Sequence, residues 1–179
     1  MFSQNETVFV LIDVQGRLAE AMYEKGALFK NLEILVQGMQ ALGVPIIVTE
    51  QIPEKMGKTI PQLETLLDSA APIAKSSFSC CGEQAFVQKL KQQNRKQVLL
   101  AGIETHVCVY QTASDLIDTG YHVEVAADAV SSRTGSNRQI GLEKMKACGA
   151  RITSVETVLF ELLKTADHPS FKAVLKLVK

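Results

Sequence analysis

The sequence lacks an excess of charge of either sign. Its 19 Lys and Arg residues balance 19 Asp and Glu residues, so the formal net charge is zero at pH 7. Proteins that bind nucleic acid or anionic membranes through their overall field normally carry a basic excess. We therefore expect neither nucleic acid nor a membrane as a partner.

Long hydrophobic runs and a secretion signal are also missing. No stretch approaches the roughly 18 apolar residues needed to span a bilayer. The first residues, MFSQNETVFVLID, contain no basic region, and Asp13 interrupts their apolar run. We expect no transmembrane segment and a cytoplasmic location.

The four cysteines follow neither a zinc pattern nor a disulfide pattern. Cys80 and Cys81 are adjacent, which does not provide the spacing of a Cys-X-X-Cys motif. Without a secretion signal, four cysteines in one chain are more typical of reduced thiols than of two disulfides. We therefore interpret all four as thiols.

The apolar residues that are present alternate between two periods. Continuous β-branched and aromatic runs, such as Thr7 to Ile12, are typical of strands buried on both faces, and the segments between them follow helical spacing. The 179 residues suffice for one core and are too few for two, so 1–179 is interpreted as a single domain. Repeated strand–helix units predict an α/β fold: a three-layer, doubly wound, mostly parallel sheet of about six strands with helices on both faces.

The predicted strands are short and regularly spaced. They cover Thr7–Ile12, Ile46–Val48, Ala70–Ala74, Val98–Ala101, Tyr121–Ala127 and Arg151–Ser154. The polar segment Thr49 to Thr59 is long for a connection in a compact domain, and such loops are often functional, so a lid is one interpretation of it.

The stretch Gln97 to Asp118 reads as strand, sharp turn and helix. Its apolar run breaks at Gly102, and a helical pattern resumes after Cys108. This places Cys108 in the first helical turn, where the helix dipole favours a thiolate and a lowered thiol pKa. The alternative is a small buried hydrophobic residue, since free cysteines are often buried.

Three residues of different chemistry follow predicted strands. Asp13 ends the first, Lys75 follows the third, and Cys108 comes after the fourth. In open α/β sheets ligands bind beyond the carboxyl ends of the strands, so these side chains could converge on one nucleophilic site. The alternatives are a helix cap for Asp13 and a solvated surface residue for Lys75.

At these residues the sequence resembles the isochorismatase-like hydrolase superfamily, which includes nicotinamidases and N-carbamoylsarcosine amidases. The resemblance is carried by Asp13 in LIDVQ, Lys75 in IAKSSFS and Cys108 in AGIETHVC, and it covers most of the chain. The segments VTEQIPEKMGKT, DAVSSRT and HPSFKAVLKL are similar to the isochorismatase-domain-containing branch.

The resemblance implies a cysteine hydrolase that acts on a small amide, carbamoyl or related C–N substrate through a thioester acyl-enzyme. Cys108 would be the nucleophile, Asp13 the proton carrier and Lys75 the stabilising cation. Backbone groups of Ile103, Glu104, Thr105 and Cys108 would form the oxyanion turn. In relatives the corresponding peptide bond is cis, which implies a cis bond between Ile103 and Glu104.

Other features leave alternatives open. Isochorismatase itself cleaves a vinyl ether without needing a cysteine, and a binding or scaffold protein could retain the same fold without activity. Gln15, Gln51 and Phe78 lie near the proposed triad in sequence, and they could line a substrate pocket or be ordinary surface loop residues. Asp128, Ser131, Ser132 and Arg133 follow the fifth predicted strand, and the resemblance implies that this region contributes to the mouth of the site or to a subunit contact.

We expect no metal and no cofactor. Metal-dependent nicotinamidases place an Asp and two His after the second strand, whereas no histidine of this chain lies between residues 49 and 75. The three histidines are His106, His122 and His168. The final helix is predicted to be amphipathic, and relatives of the family are usually oligomers, which implies a homo-oligomer, a dimer or a tetramer. Packing of that helix on the sheet of its own chain explains the same apolar stripe.

Overall fold

The structure, a computed structural model, describes residues 1–67 and 71–179, and within them six strands form one parallel sheet. The strands are β1 (Thr7–Ile12), β2 (Ile46–Gln51), β3 (Ile73–Lys75), β4 (Gln97–Ile103), β5 (His122–Ser131) and β6 (Arg151–Thr153). Their order is β3-β2-β1-β4-β5-β6, and every pairing is parallel. The predicted fold class is confirmed.

Helices connect the strands. They are α1 (Gly16–Glu20), α2 (Lys25–Ala41), α3 (Pro53–Met56), α4 (Pro61–Glu64), α5 (Gln84–Gln92), α6 (Tyr110–Asp118), α7 (Gly135–Ala147), α8 (Val155–Leu163) and α9 (Phe171–Val178). A 3₁₀ turn covers Cys80–Gly82, and a π-helical turn, Thr105–Val109, joins β4 to α6.

The alternation of side chains along β1 divides the core into two layers. Phe9 and Leu11 pack on the face covered by α2, α8 and α9, whereas Val8 and Val10 pack on the face covered by α5, α6 and α7. Every residue of β1 is buried, because helices cover both faces of the sheet. This explains the continuous apolar run of the first strand.

The sheet has its topological switch point between β1 and β4. The chain proceeds outward from β1 through β2 to β3 and then returns to the other side of β1. Gly102 in β4 has φ 119°, and a Cβ there would overlap the carbonyl oxygen of Ile12. Only glycine therefore permits the ends of β1 and β4 to approach so closely. Ligands of such sheets bind at this crevice.

The second strand is longer than its apolar residues indicated. Thr49, Glu50 and Gln51 belong to β2 and are buried, so the interpretation of Thr49 to Thr59 as one loop is wrong. Their polar groups have hydrogen-bond partners inside the fold: the Glu50 carboxylate accepts from the N–H and hydroxyl of Thr59 at 2.7 and 2.8 Å. Because this contact fixes the end of the segment to β2, the structure gives no support for a mobile lid.

Other strand boundaries also differ from the predictions. The fourth strand runs from Gln97 to Ile103 and so continues through Gly102, where a break was predicted, while β5 begins and β6 ends one residue inside the predicted range. The predicted third strand began at Ala70, which lies outside the described residues, and the observed β3 starts at Ile73. The fifth strand continues beyond Ala127 to Ser131, because the chain resumes pairing with the end of β4 after an irregularity opposite Leu100 and Gly102.

The final helix, α9, packs against the protein's own core. Val174 is fully buried, and Phe171 and Val178 are partly buried against the same cluster. The apolar stripe is therefore explained within one chain and does not by itself indicate an oligomer. In residues 1–67 and 71–179 no helix is long and apolar enough to cross a membrane.

Candidate active site

Asp13 occupies a constrained position directly after β1. It has φ 53°, a left-handed conformation that is uncommon for residues other than glycine and that clusters at functional sites. Its Oδ1 accepts a hydrogen bond from the Thr49 hydroxyl at 2.8 Å, and its Oδ2 lies 2.6 Å from the Lys75 ammonium. Asp13 is therefore held in a buried ion pair and is not a helix cap.

Lys75 ends β3 and points into the protein. Its side chain is fully buried, and that of Asp13 is 2% exposed. Besides Asp13, its Nζ lies 2.7 Å from the Gln51 side-chain oxygen and 3.1 Å from the carbonyl oxygens of Ser77 and Phe78. The interpretation as a solvated surface lysine is therefore wrong, because four oxygens surround this cation in place of water.

Cys108 lies in the π-helical turn between β4 and α6. The sequence placed it in the first α-helical turn, but α6 begins only at Tyr110. Single π-helical turns are rare and often occur at functional sites. Cys108 is 8% exposed and packs among buried apolar residues.

The Cys108 thiol is protonated at neutral pH. Burial raises its pKa to about 12, and the Asp13 carboxylate raises it further by its charge and by accepting the thiol hydrogen bond, while Lys75 opposes both effects. The expectation of a lowered thiol pKa is therefore wrong for this structure. The neutral thiol instead lines the same cavity as the carboxylate that could accept its proton.

A cavity of about 180 Å³ opens onto these groups. Its lining residues are Asp13, Leu18, Gln51, Met56, Phe78, Ile103, Glu104, Val107 and Cys108. Two larger hollows of about 420 and 340 Å³ lie along the sheet and near its β5 end, and neither is lined by the three strand-end residues. The predicted convergence of Asp13 and Cys108 therefore occurs at this smaller cavity, with Lys75 directly behind Asp13.

Of the three predicted pocket residues, Gln51 and Phe78 line the cavity and Gln15 does not. Gln15 is fully buried, and its side chain bonds the backbone of Gln51 and the carbonyl of Gly57 at 2.6 Å each. It therefore ties α3 to the end of β2. Gln51 itself bonds Lys75 and, through Nε2, the Ser76 carbonyl at 2.7 Å, so its amide supports the ion pair.

The turn that carries Cys108 is fixed by the segment after β5. The peptide bond between Ile103 and Glu104 is cis, as the resemblance implied. The N–H and Nε of Arg133 both donate to Glu104 Oε1 at 3.1 Å, and the His106 ring lies 3.0 Å from the Ser132 hydroxyl. Of the four predicted oxyanion-turn residues, Ile103, Glu104 and Cys108 line the cavity, whereas Thr105 is fully buried and does not.

Asp128 has a different role from the one expected. Its carboxylate accepts a hydrogen bond from the Val155 N–H at 2.9 Å, which satisfies a free backbone donor at the start of α8. It therefore supports that helix and not the mouth of the cavity. Ser131 likewise donates to the Tyr23 carbonyl at 2.7 Å.

Sequence reasoning missed several contributors to the site. Thr49 could have been found, because it pairs with Ile12 in the sheet and so lies beside Asp13. The carbonyl groups of Ser77 and Phe78 carry no signal in the sequence, because any residue type offers the same acceptor. The apolar wall formed by Leu18, Met56 and Val107 was also missed, since each resembles ordinary core residues.

All four cysteines are free thiols, as predicted. Cys80 is buried, with its sulfur 3.7 Å from the Thr49 hydroxyl, and burial raises its pKa to about 11. Burial likewise raises the pKa of Cys81 to about 12, whereas Cys148 is exposed. Cys148 is therefore a solvent-accessible reference thiol for reactivity measurements.

Comparisons with known proteins agree with this architecture. The isochorismatase domain model matches residues 7–157. The secreted isochorismatase effector Isc1 of Phytophthora sojae is 38% identical, over 98% of this chain and 85% of its own length. Isochorismatase domain-containing protein 1 of Salmo salar is 34% identical over 97% of this chain, which spans 61% of the salmon protein. The structure of MAR1 ribonuclease from Caenorhabditis elegans superposes with TM-score 0.93 at 34% identity, covering 99% of this chain and 91% of that one.

The fold and the cavity define an α/β protein with a cysteine-bearing turn at the switch point of a parallel sheet. The chain belongs to the isochorismatase family. The resemblance to the isochorismatase-domain-containing branch is confirmed, and so is the assignment as a hydrolase of this family.

Proposed function

We propose that the protein is a cysteine hydrolase that cleaves a C–N bond of a small amide or carbamoyl compound. The observation that carries this proposal is the buried Asp13–Lys75 pair, whose carboxylate lines the same cavity as the Cys108 thiol. A carboxylate, a cation and a thiol in one place supply a base, its charge partner and a nucleophile.

The reaction begins with a neutral thiol. Cys108 Sγ attacks the substrate carbonyl while its proton passes to Asp13, so a free thiolate is not required in the resting protein. Asp13 then protonates the leaving nitrogen, the C–N bond breaks, and a thioester remains on Cys108. Water attacks this thioester and gives its proton to Asp13, which returns it to the sulfur as the acid product leaves.

Lys75 takes no part in the proton transfers of this scheme. Its ammonium fixes Asp13 Oδ2 at 2.6 Å and lowers the cost of thiolate character on Cys108. Backbone N–H groups of the turn around Ile103, Glu104, Thr105 and Cys108 are proposed to stabilise the developing oxyanion, which is often the largest single contribution to rate.

RNA is the alternative substrate, because three similar structures are of proteins named as MAR1 ribonucleases, two of them as putative ones. Contacts to RNA depend on cations that neutralise phosphates. Among the described residues that line the cavity none is Lys, Arg or His, and the cavity holds only about 180 Å³. These observations favour a small molecule over a nucleic acid.

Substitution of the nucleophile tests the proposal. A panel of small amides, ureas and carbamoyl compounds is screened for turnover, and intact mass spectrometry detects a covalent acyl-enzyme. Cys108→Ala is expected to lower turnover by about 10⁴-fold or more and to abolish the adduct. Cys148→Ala, which removes an exposed thiol, serves as the control. Turnover retained by folded Cys108→Ala would favour vinyl-ether chemistry, and a chain inert toward the whole panel and toward thiol reagents at Cys108 would favour a scaffold.

Metal independence remains a prediction. No group of three or more metal-binding side chains occurs in the part of the chain that the structure describes. We expect EDTA to leave turnover within about twofold of the untreated protein, because the proposed nucleophile is a thiol and not a metal-bound water. Loss of activity that added zinc, iron or manganese restores would contradict this expectation.

Location and assembly also remain proposals. The cytoplasmic proposal is supported by four free thiols, since oxidising compartments favour disulfides. A homo-oligomer, dimer or tetramer, is proposed from the family resemblance alone, since single exposed apolar side chains such as Ile140, which is 50% exposed, do not by themselves mark an interface. Light scattering at micromolar concentration distinguishes an oligomer from a 19.6 kDa monomer.

A further inference from the structure

The side chain of Glu104 has one carboxylate oxygen without a partner. Glu104 is 8% exposed and lines the cavity. Oε1 accepts both hydrogen bonds from Arg133, and no described residue donates to Oε2. Oε2 is not one of the fully buried side-chain atoms without a partner, so it stays accessible, and a ligand N–H that reaches it forms a charge-assisted hydrogen bond.

The other polar side chains of the cavity wall are already engaged. Both oxygens of Asp13 accept hydrogen bonds, from Thr49 and from Lys75. Both polar atoms of Gln51 are also paired, with Lys75 and with the Ser76 carbonyl. Among the side-chain oxygens of Asp13, Gln51 and Glu104, Glu104 Oε2 is therefore the one to which no described residue donates.

The rest of the wall is apolar, and no cation remains for an anionic substrate. Lys75 lies behind Asp13 with four oxygens around its Nζ. Within the described part of the chain, no Lys, Arg or His lines the cavity, while two carboxylates do. Arg133 pairs with Glu104 from outside the cavity, but its side chain is 60% exposed and it donates only to Oε1, so solvent screens its charge and a substrate carboxylate at Oε2 would still meet like charge.

We propose that Glu104 selects the substrate by accepting a hydrogen bond from it at Oε2, so that the cavity takes small neutral or cationic compounds with an N–H group and rejects carboxylates. This inference rests on the proposed function, because it concerns compounds that reach Cys108. Glu104 is thus a specificity residue, and a substrate as acidic as a dicarboxylate vinyl ether is excluded.

Three small electrophiles of similar shape test the inference without requiring the natural substrate. Acrylamide is neutral and has an N–H donor, methyl acrylate is neutral without one, and acrylate is anionic. Each adds to a thiol in the same way: a C–S bond forms at the β-carbon, the C=C π bond breaks, and the thiol proton ends on the α-carbon. Peptide mass mapping gives the labelling rates of Cys108 and Cys148 in the same molecule.

The ratio of the Cys108 rate to the Cys148 rate cancels the intrinsic reactivity of each reagent. We expect this ratio to be highest for acrylamide, lower for methyl acrylate and lowest for acrylate. The difference between acrylamide and acrylate should be about tenfold or more, the size of one charge-assisted hydrogen bond.

Glu104→Gln keeps the shape of the side chain and removes its charge. In this variant the preference for acrylamide over acrylate, measured as the Cys108-to-Cys148 rate ratio, should fall by at least about threefold. The glutamine side chain is neutral and no longer repels the carboxylate of acrylate. Glu64→Gln removes the same charge from an exposed site outside the cavity and should leave the ratio unchanged. Equal ratios for the three reagents, or the same ratios in Glu104→Gln as in the parent, would overturn the inference.

The experiment also separates this inference from the proposed function. If Cys108 reacts with the reagents without discrimination, the selection by Glu104 is wrong while the nucleophile stands. If no reagent modifies Cys108 while Cys148 is modified, the proposed nucleophile fails, and the inference fails with it. A preference for acrylate that disappears in Arg133→Gln would assign the selecting charge to Arg133 and overturn the inference.

Discussion

Lys75→Met is expected to lower the free energy of unfolding by about 3 to 5 kcal/mol, because it leaves the Asp13 carboxylate buried without its cation. The side chains of the pair are 0% and 2% exposed, so water cannot replace the lost ammonium. Methionine has a similar length, and the change therefore removes charge with little change in volume. Chemical denaturation followed by circular dichroism measures the loss.

The chain offers a matched control for this substitution. Lys25 and Glu20 form an ion pair with the same 2.6 Å separation, but their side chains are 49% and 55% exposed. Lys25→Met should cost less than about 1 kcal/mol, since solvent screens exposed pairs. Because both ion pairs have the same 2.6 Å separation, the difference in unfolding free energy between Lys75→Met and Lys25→Met measures the effect of burial.

The double variant Asp13→Asn with Lys75→Met provides the second control. It removes both charges, so it should be more stable than Lys75→Met alone although it lacks one more ionic group. A Lys75→Met variant as stable as the Lys25→Met variant would contradict a buried ion pair at this site. Turnover should be lost in Lys75→Met even at temperatures where it is fully folded.

The sequence predicts most of the fold because its strands are buried on both faces. β1 was predicted with its observed bounds, since all six of its residues are buried and the pattern has no gaps. The strand β2 was predicted too short, because Thr49, Glu50 and Gln51 are polar but satisfied inside the fold. Such satisfaction depends on distant partners, for example Thr59 for Glu50, and a local pattern cannot reveal it.

The sequence predicts which residues form the candidate site, but it does not predict the pKa of the Cys108 thiol within that site. Asp13 and Cys108 could be placed together, because parallel strands bring their carboxyl ends to one edge. The state of the thiol could not be inferred in this way. The helix dipole acts locally, whereas the desolvation that raises the Cys108 pKa comes from surrounding residues of many elements. Gln15 was wrongly assigned to the substrate pocket for a related reason. The hydrogen bonds of its amide to the backbone of Gln51 and Gly57 depend on the tertiary structure and leave no local sequence pattern.

Asp13→Asn is expected to have opposite effects on turnover and on the reactivity of the thiol. Turnover should fall by about 10² to 10⁴-fold, because the general base is lost while the shape is preserved. The thiol pKa should fall below its value of about 12, since Asp13 raises it both by charge and by accepting its hydrogen bond. Lys75 retains three acceptors in this variant, namely Gln51 and the carbonyls of Ser77 and Phe78.

The change in the alkylation rate of Cys108 in Asp13→Asn depends on two opposing factors, the fraction of thiolate and the nucleophilicity of that thiolate. Each unit by which the pKa falls raises the thiolate fraction at pH 8 by about tenfold. Thiolates of lower pKa are weaker nucleophiles, with a Brønsted coefficient of about 0.5, so the alkylation rate should rise by about threefold per unit. A variant that cannot turn over substrate should therefore alkylate faster than the parent.

Iodoacetamide labelling of Cys108 between pH 6 and 10 measures this effect, with Cys148 as the reference thiol in each sample. In the parent the Cys108 rate should still be rising at pH 10, and in Asp13→Asn the whole profile should move to lower pH. Lys75→Met should move it in the other direction, because the cation that favours the thiolate is gone. If the Asp13→Asn profile coincides with that of the parent in a folded protein, the carboxylate does not hold the thiol proton, and its role as the base is wrong.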